Sequence, residues 1–138
     1  MSAENNEHAF RLLIEQGFNQ GNLDALDEIC APGFTEHQDG ITPPTVAGLK
    51  GAITSLRDPF PNLKLTIEEI VATGDKTWAR ITGRGTHRGM FMGRPGTGKS
   101  FTITVIDICR YENAKIVEHW GVADRLSQIA QLGLLSPR

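Results

Sequence analysis

Apolar residues recur at Phe10, Leu13, Ile14, Gly17 and Phe18, the i, i+3, i+4, i+7, i+8 spacing of one helix face, and the stripe stops at Gly21. The spacing predicts a helix over residues 4–20. Leu23, Leu26, Ile29 and Cys30 repeat the period before Pro32, and Leu49, Ile53 and Leu56 repeat it before Pro59 and Pro61. These are two shorter helices. From Leu63 the period changes to two and β-branched residues dominate, predicting strands over residues 63–73, 77–87, 101–111 and 115–122. Gly74-Asp75 and Glu112-Asn113-Ala114 are short enough to be hairpin turns, so adjacent strands should be antiparallel. Residues 88–99, with four glycines and one proline, form a longer, mobile connection. Leu126, Ile129 and Ala130 lie between Asp124 and Gly133, the cap and stop of a last helix. Segregated helices and an antiparallel sheet make the class α+β.

Composition narrows the function. A length of 138 residues fits one domain, 1–138, large enough to hold both a core and a small-molecule cavity. Sixteen acidic against fourteen basic residues, with no basic cluster, exclude nucleic acid and anionic membrane as main partners. Cys30 and Cys109 are too few for a disulfide framework and lack the spacing of a zinc site. The acidic, polar start of the chain is unlike a signal or transit peptide, and no apolar run reaches the roughly 20 residues of a membrane span. A cytoplasmic location is the expectation.

One motif misleads. Gly93-Arg94-Pro95-Gly96-Thr97-Gly98-Lys99-Ser100 matches the phosphate-binding pattern G-x-x-x-x-G-K-[ST] letter for letter. That loop presents its amides at the start of a helix, whereas the residues that follow, Phe101-Thr102-Ile103-Thr104-Val105-Ile106, are strand-like. A glycine-rich connection between strands is the better reading.

Asp107 interrupts the apolar run from Ile103 to Cys109, where an unpaired buried carboxylate costs several kcal/mol or neutralises itself. It therefore calls for a partner. A three-residue turn with a bulge at Ala114 would pair Asp107 with His119, and a two-residue turn would place it beside Trp120. A carboxylate and imidazole side by side suit general acid/base work, and equally suit a buried polar pair that sets strand register. His37, in Phe34-Thr35-Glu36-His37-Gln38, lies either in a short strand that brings it to the sheet or in an exposed loop. His87 stands before the glycine-rich connection, at the mouth of a pocket. Asp124 is a helix cap or a second acid, while Trp78, Trp120, Phe91 and Met92 line a cavity or fill a core. Trp120, His87, Phe91, Trp78 and Asp124 are the candidate substrate contacts. No Gly-x-Ser-x-Gly elbow and no His-x-His or His-x-x-x-His pattern occurs, which weakens nucleophilic and metal-assisted mechanisms.

Phe18-Asn19-Gln20-Gly21-Asn22-Leu23-Asp24-Ala25-Leu26, Phe34-Thr35-Glu36-His37, Gly85-Thr86-His87-Arg88-Gly89, Ile116-Val117-Glu118-His119-Trp120 and Gln131-Leu132-Gly133, in that order, are a familiar set. The chain resembles the SnoaL-like polyketide cyclases, or ester cyclases, of the nuclear transport factor two-like superfamily. The resemblance implies a cone-shaped fold: a curved antiparallel or mixed sheet around helices, with an apolar pocket inside, often in a homodimer. It also implies ring closure by an intramolecular aldol step, without cofactor or metal, on a small apolar carbonyl-containing molecule. His119 would be the base or proton relay, Asp107 its orienting acid and His37 a further donor. Relatives often carry an acid directly after the His-Trp pair, where this chain has Gly121. A non-catalytic binding or dimerisation module is the alternative; an epoxide hydrolase would need a set such as Asp107, Arg110 and Asp124.

Overall fold

The computed structural model describes residues 2–136. The first helix, α1 (Ala3–Leu12), starts where the Ser2 hydroxyl accepts from the Asn5 amide at 3.1 Å. It continues as a wider, π-type stretch, Leu13–Asn19, so the single helix expected over residues 4–20 is one rod of two pitches. Arg57 closes that rod by donating to the carbonyls of Phe18 and Asn19 at 2.8 and 2.7 Å. Gly17 lies so close to the next helix that an added Cβ would sit 3.0 Å from Leu26 Cδ1. Two short helices follow, α2 (Ala25–Ile29) and α3 (Val46–Arg57), with the first strand, β1 (Cys30–Glu36), between them.

The remaining strands are β2 (Lys64–Thr73), β3 (Lys76–Thr86), β4 (Ser100–Glu112) and β5 (Lys115–Ala123), and α4 (Arg125–Gln131) ends the fold. The sheet order is β1-β5-β4-β3-β2, with β1 parallel to β5 and every other pair antiparallel. The sheet is therefore mixed and curved, as expected, and its interior face carries the core. Phe10, Leu13, Ile14, Leu49 and Ile53 of the helices bury against Ile81, Phe101, Cys109, Tyr111 and Ile116 of the sheet. Each such fully buried side chain contributes about 1.5–3 kcal/mol.

Register decides what faces inward. Across the sheet, Glu36, His119, Cys109 and Thr77 form one interior row, and Gly121, Asp107 and Ala79 form the next. The β4–β5 turn is two residues long, Asn113-Ala114, with φ of 52° and 62° and Glu112 paired with Lys115. A regular ladder from that turn would place Asp107 beside Trp120. It does not, because Val117 is an extra residue that shifts the pairing between Tyr111↔Ile116 and Arg110↔Glu118. Asp107 consequently pairs with Gly121, which corrects both sequence-derived registers. His119 is its diagonal neighbour on the same face.

The 88–99 connection is anchored at its base. His87 and Lys99 bond through the backbone at 2.9 Å, as do Gly98 and His87, and Arg88 donates to the Pro59 carbonyl at 2.8 Å. The segment leads directly into β4, with no helix behind the G-x-x-x-x-G-K-[ST] match. No helix among the described residues is long and apolar enough to cross a membrane.

Ala114 holds a positive φ that costs an L-residue with a Cβ about 1–2 kcal/mol. Ala114→Gly is therefore expected to stabilise the protein by about 0.5–1 kcal/mol, read as a raised denaturation midpoint. An unchanged or lowered midpoint would show that the turn is not strained.

Candidate active site

Curvature leaves a cavity of about 640 Å³ between α3, the end of the π-type stretch, the segment after β1 and the 88–99 connection, lined by Phe18, Gln38, Ile41, Leu56, Phe91 and Arg125 among others. Behind it lies a smaller compartment of about 80 Å³ that contains Asp107, His119, Ile103, Val105 and Gln128. Phe18, Gln38, Leu56 and Arg125 line both, so the two spaces adjoin. The wider one falls within the roughly 300–1,000 Å³ of small-molecule sites.

At the inner end, His119 lies between two buried carboxylates. Its Nε2 is 3.0 Å from Asp107 Oδ1 and its Nδ1 is 2.6 Å from Glu36 Oε1. Glu36 is held in turn by the Gln38 amide, which donates to Oε1 at 3.0 Å, while Oε2 is buried without a partner. Burial alone would lower the affinity of His119 for a proton. The Asp107 charge, the Asp107 hydrogen bond and then Glu36 outweigh it, raising the imidazole from 6.5 to about 10. The surroundings thus favour the imidazolium form, in which both ring N–H groups donate to carboxylates.

The opening around Asp107 depends on small neighbours in its row, Ala79 and Gly121. A Cβ at position 121 would be 2.6 Å from Asp107 Oδ1, 2.9 Å from His119 Cε1 and in collision with Gln38 Oε1. The space that an acid after the His-Trp pair would occupy is taken by the Asp107 carboxylate itself. Asp107 Oδ2 makes no hydrogen bond among the described residues, which leaves it to the compartment.

Other candidates sit elsewhere. His37 follows Glu36 and therefore points to the opposite face, where it stacks on Trp120 at 4.8 Å and bonds Glu118 at 2.8 Å. Neither His37 nor Trp120 reaches the compartment. Trp78 is also on the outer face and 48% exposed, so it does not line the cavity. His87 is not at a pocket mouth: it is fully buried against Phe60 and Phe91, with Nδ1 3.1 Å from Thr97 Oγ1. Phe91 does line the wider cavity. Asp124 caps α4, accepting from the Ser127 amide at 3.2 Å. Arg110 pairs with Glu118 and Glu112 on the outer face, so Asp107, Arg110 and Asp124 form no water-activating group. Glu118 is held below the usual carboxylate range by Arg110 and then His37.

Glu36, Gln38, Arg125 and Gln128 were not expected at the site. Strand alternation from the buried Phe34 points Glu36 inward, a signal present in Phe34-Thr35-Glu36. Both cysteines are buried and free, and burial pushes the Cys30 thiol up to about 12 and Cys109 well above its ordinary value. Neither serves as a nucleophile. Among the described residues no set of three His, Cys, Asp or Glu side chains is arranged to hold a metal ion. Glu36 and Asp107 bind opposite nitrogens of His119 and do not converge on one point.

Comparison with known proteins agrees with this architecture. Residues 8–132 match the family model of the SnoaL-like polyketide cyclases. Aklanonic acid methyl ester cyclase DauD of Streptomyces sp. (strain C5) is 30% identical over 130 residues, covering 89% of this chain and 78% of that protein. The crystal structure of IdmH, a putative polyketide cyclase from Streptomyces antibioticus, is similar with a TM-score of 0.82 and 35% identity, covering 93% of this chain and 98% of that one. TsrD from Streptomyces laurentii superposes with a TM-score of 0.87 at 27% identity, over 98% of this chain and 99% of the other.

Two outcomes are expected. Gly121→Ala, which forces the Asp107 carboxylate, Gln38 or the His119 ring to move, should destabilise the fold by about 1–3 kcal/mol in chemical denaturation; wild-type stability would refute the packing argument. His119 binds its proton more tightly folded than unfolded, so its contribution to stability is fully present below about pH 6.5 and lost as pH rises towards 10. A denaturation series from pH 6 to pH 10 should show this loss in the wild type and not in His119→Gln.

Proposed function

We propose, from the premise that the chain belongs to the SnoaL-like polyketide cyclase family, that it closes a ring in a carbonyl-rich, mostly apolar small molecule by intramolecular aldol addition. The supporting observation is Asp107, held by His119 on one oxygen, with its second oxygen unpartnered among the described residues and lining a compartment that adjoins a cavity of small-molecule size.

In this reading Asp107 Oδ2 takes a proton from the carbon beside a carbonyl, and the electron pair of that C–H bond moves into an enolate. The enolate carbon then bonds to a second carbonyl carbon, whose oxygen becomes an alkoxide. The proton on Asp107 passes to that alkoxide, so product and substrate are isomers and Asp107 is again a carboxylate. His119, both ring nitrogens occupied, is the charged partner that orients Asp107, not the base. Glu36 is a positioning residue that fixes the ring from the other side. The cavity walls Phe18, Leu56 and Phe91 hold the apolar body of the substrate folded for reaction. The step as written needs no cofactor.

The outer face offers the surface for a homodimer: Val71, Trp78, Ile108 and Trp120 form one cross-strand row, beside Ile106 and Val122.

Asp107→Asn keeps the shape and removes the base. Assayed on aklanonic acid methyl ester, the compound in the name of the relative DauD, it should lower kcat by about 10²-fold or more with little change in substrate binding. A variant that turns over at the wild-type rate would eliminate Asp107 as the base and favour a binding module.

A further inference from the structure

We propose that Arg125, Gln128 and Gln38 form a recognition set for a planar, singly negative pair of oxygens on the substrate, as in a carboxylate or an enolised 1,3-dicarbonyl. This rests on the proposed cyclisation site and specifies what that site binds.

Arg125 and Gln128 are three residues apart on α4, hence on one face of it, and both line the inner compartment. Arg125 and Gln38 also line the outer cavity, so they stand where the two spaces join. Gln128 is only 2% exposed, and its amide makes no hydrogen bond among the described residues. Its amide atoms are not among the fully buried unpartnered ones, so they keep access to the compartment they line, with both donors and an acceptor to offer there. The Gln38 side-chain amide is likewise unpartnered, its backbone being what holds Glu36.

Arg125 also forms no ion pair or hydrogen bond among the described residues, and it is an exposed side chain that lines both spaces. Helix stability does not explain its position, because a cation in the first turn opposes the helix dipole. The two cations lining these spaces are Arg125 and His119, and His119 is bound on both nitrogens. Arg125 is thus the charge free to meet an anion. Its guanidinium presents parallel N–H donors that match two coplanar oxygens. An enolate formed beside Asp107 would carry its charge on such oxygens, where preorganised donors act most strongly.

The test is calorimetric binding of two inert probes at low salt. Anthraquinone-2-carboxylate, with its methyl ester as neutral control, represents the carboxylate; 2-acetyl-1,3-cyclohexanedione, with its enol methyl ether as control, represents the enolate. Wild-type protein should bind at least one anion about tenfold or more tightly than its control. Arg125→Gln should remove that preference and leave the control's affinity and the melting temperature within error, and Gln128→Leu should weaken the same anion. Loss for one probe alone identifies which source of the oxygen pair the site reads. Equal binding of anion and control by the wild type, no binding of either anion, or a preference retained by Arg125→Gln overturns the assignment. Binding requires no turnover, so an inactive Asp107 hypothesis and a failed recognition set give different results.

Discussion

A charged imidazole with almost no solvent contact holds the site together. His119 is 3% exposed, and burying such a charge is tolerable only with good hydrogen bonds to opposite charges. Glu36 and Asp107 provide one on each ring nitrogen. Several otherwise unrelated features serve that arrangement. β1 lies parallel to β5 so that Glu36 is opposite His119. The extra residue Val117 returns Asp107 and His119 to one face after a two-residue turn that would have separated them. Gly121 leaves the carboxylate its space. Removing any one would leave a buried charge unmatched.

The elements were legible because their causes are local. The change of period at Leu63 and the hairpins at Gly74-Asp75 and Glu112-Asn113-Ala114 are properties of short windows, and β2 to β5 lie within a few residues of expectation, whereas β1 was not among the four strands expected. The bulge was not read from the sequence, although Ile116 and Val117, two adjacent apolar and buried residues, interrupt the alternation there. The Asp107–His119 contact was foreseen by a register that the structure does not have. It survives because the foreseen and actual registers differ by two residues, and faces alternate with period two.

The misplaced residues share a physical reason. Trp78, Trp120 and His37 are large and ring-bearing, and each was a candidate for the site, yet strand alternation places all three on the outer face. Residue type says that such side chains favour burial without saying against which face. Arg125 and Gln128 escaped notice for the converse reason. Polar residues on a short terminal helix are usually solvated, and only the fold shows that this helix covers the inner compartment.

The raised proton affinity of His119 also bears on how work is divided within the proposed reaction. A free imidazole near its ordinary value would be the natural base at neutral pH, with a carboxylate to orient it. Here two carboxylates raise its proton affinity, and in the proposed reaction the basic atom is therefore on Asp107. A carboxylate is the weaker base, so proton removal from carbon depends on stabilising the enolate as it forms. Donors facing Asp107 from another element would supply that stabilisation. Gln38, Arg125 and Gln128 line the same compartment without partners among the described residues, so the proposed base in one wall and unpaired donors in the others are two halves of one requirement.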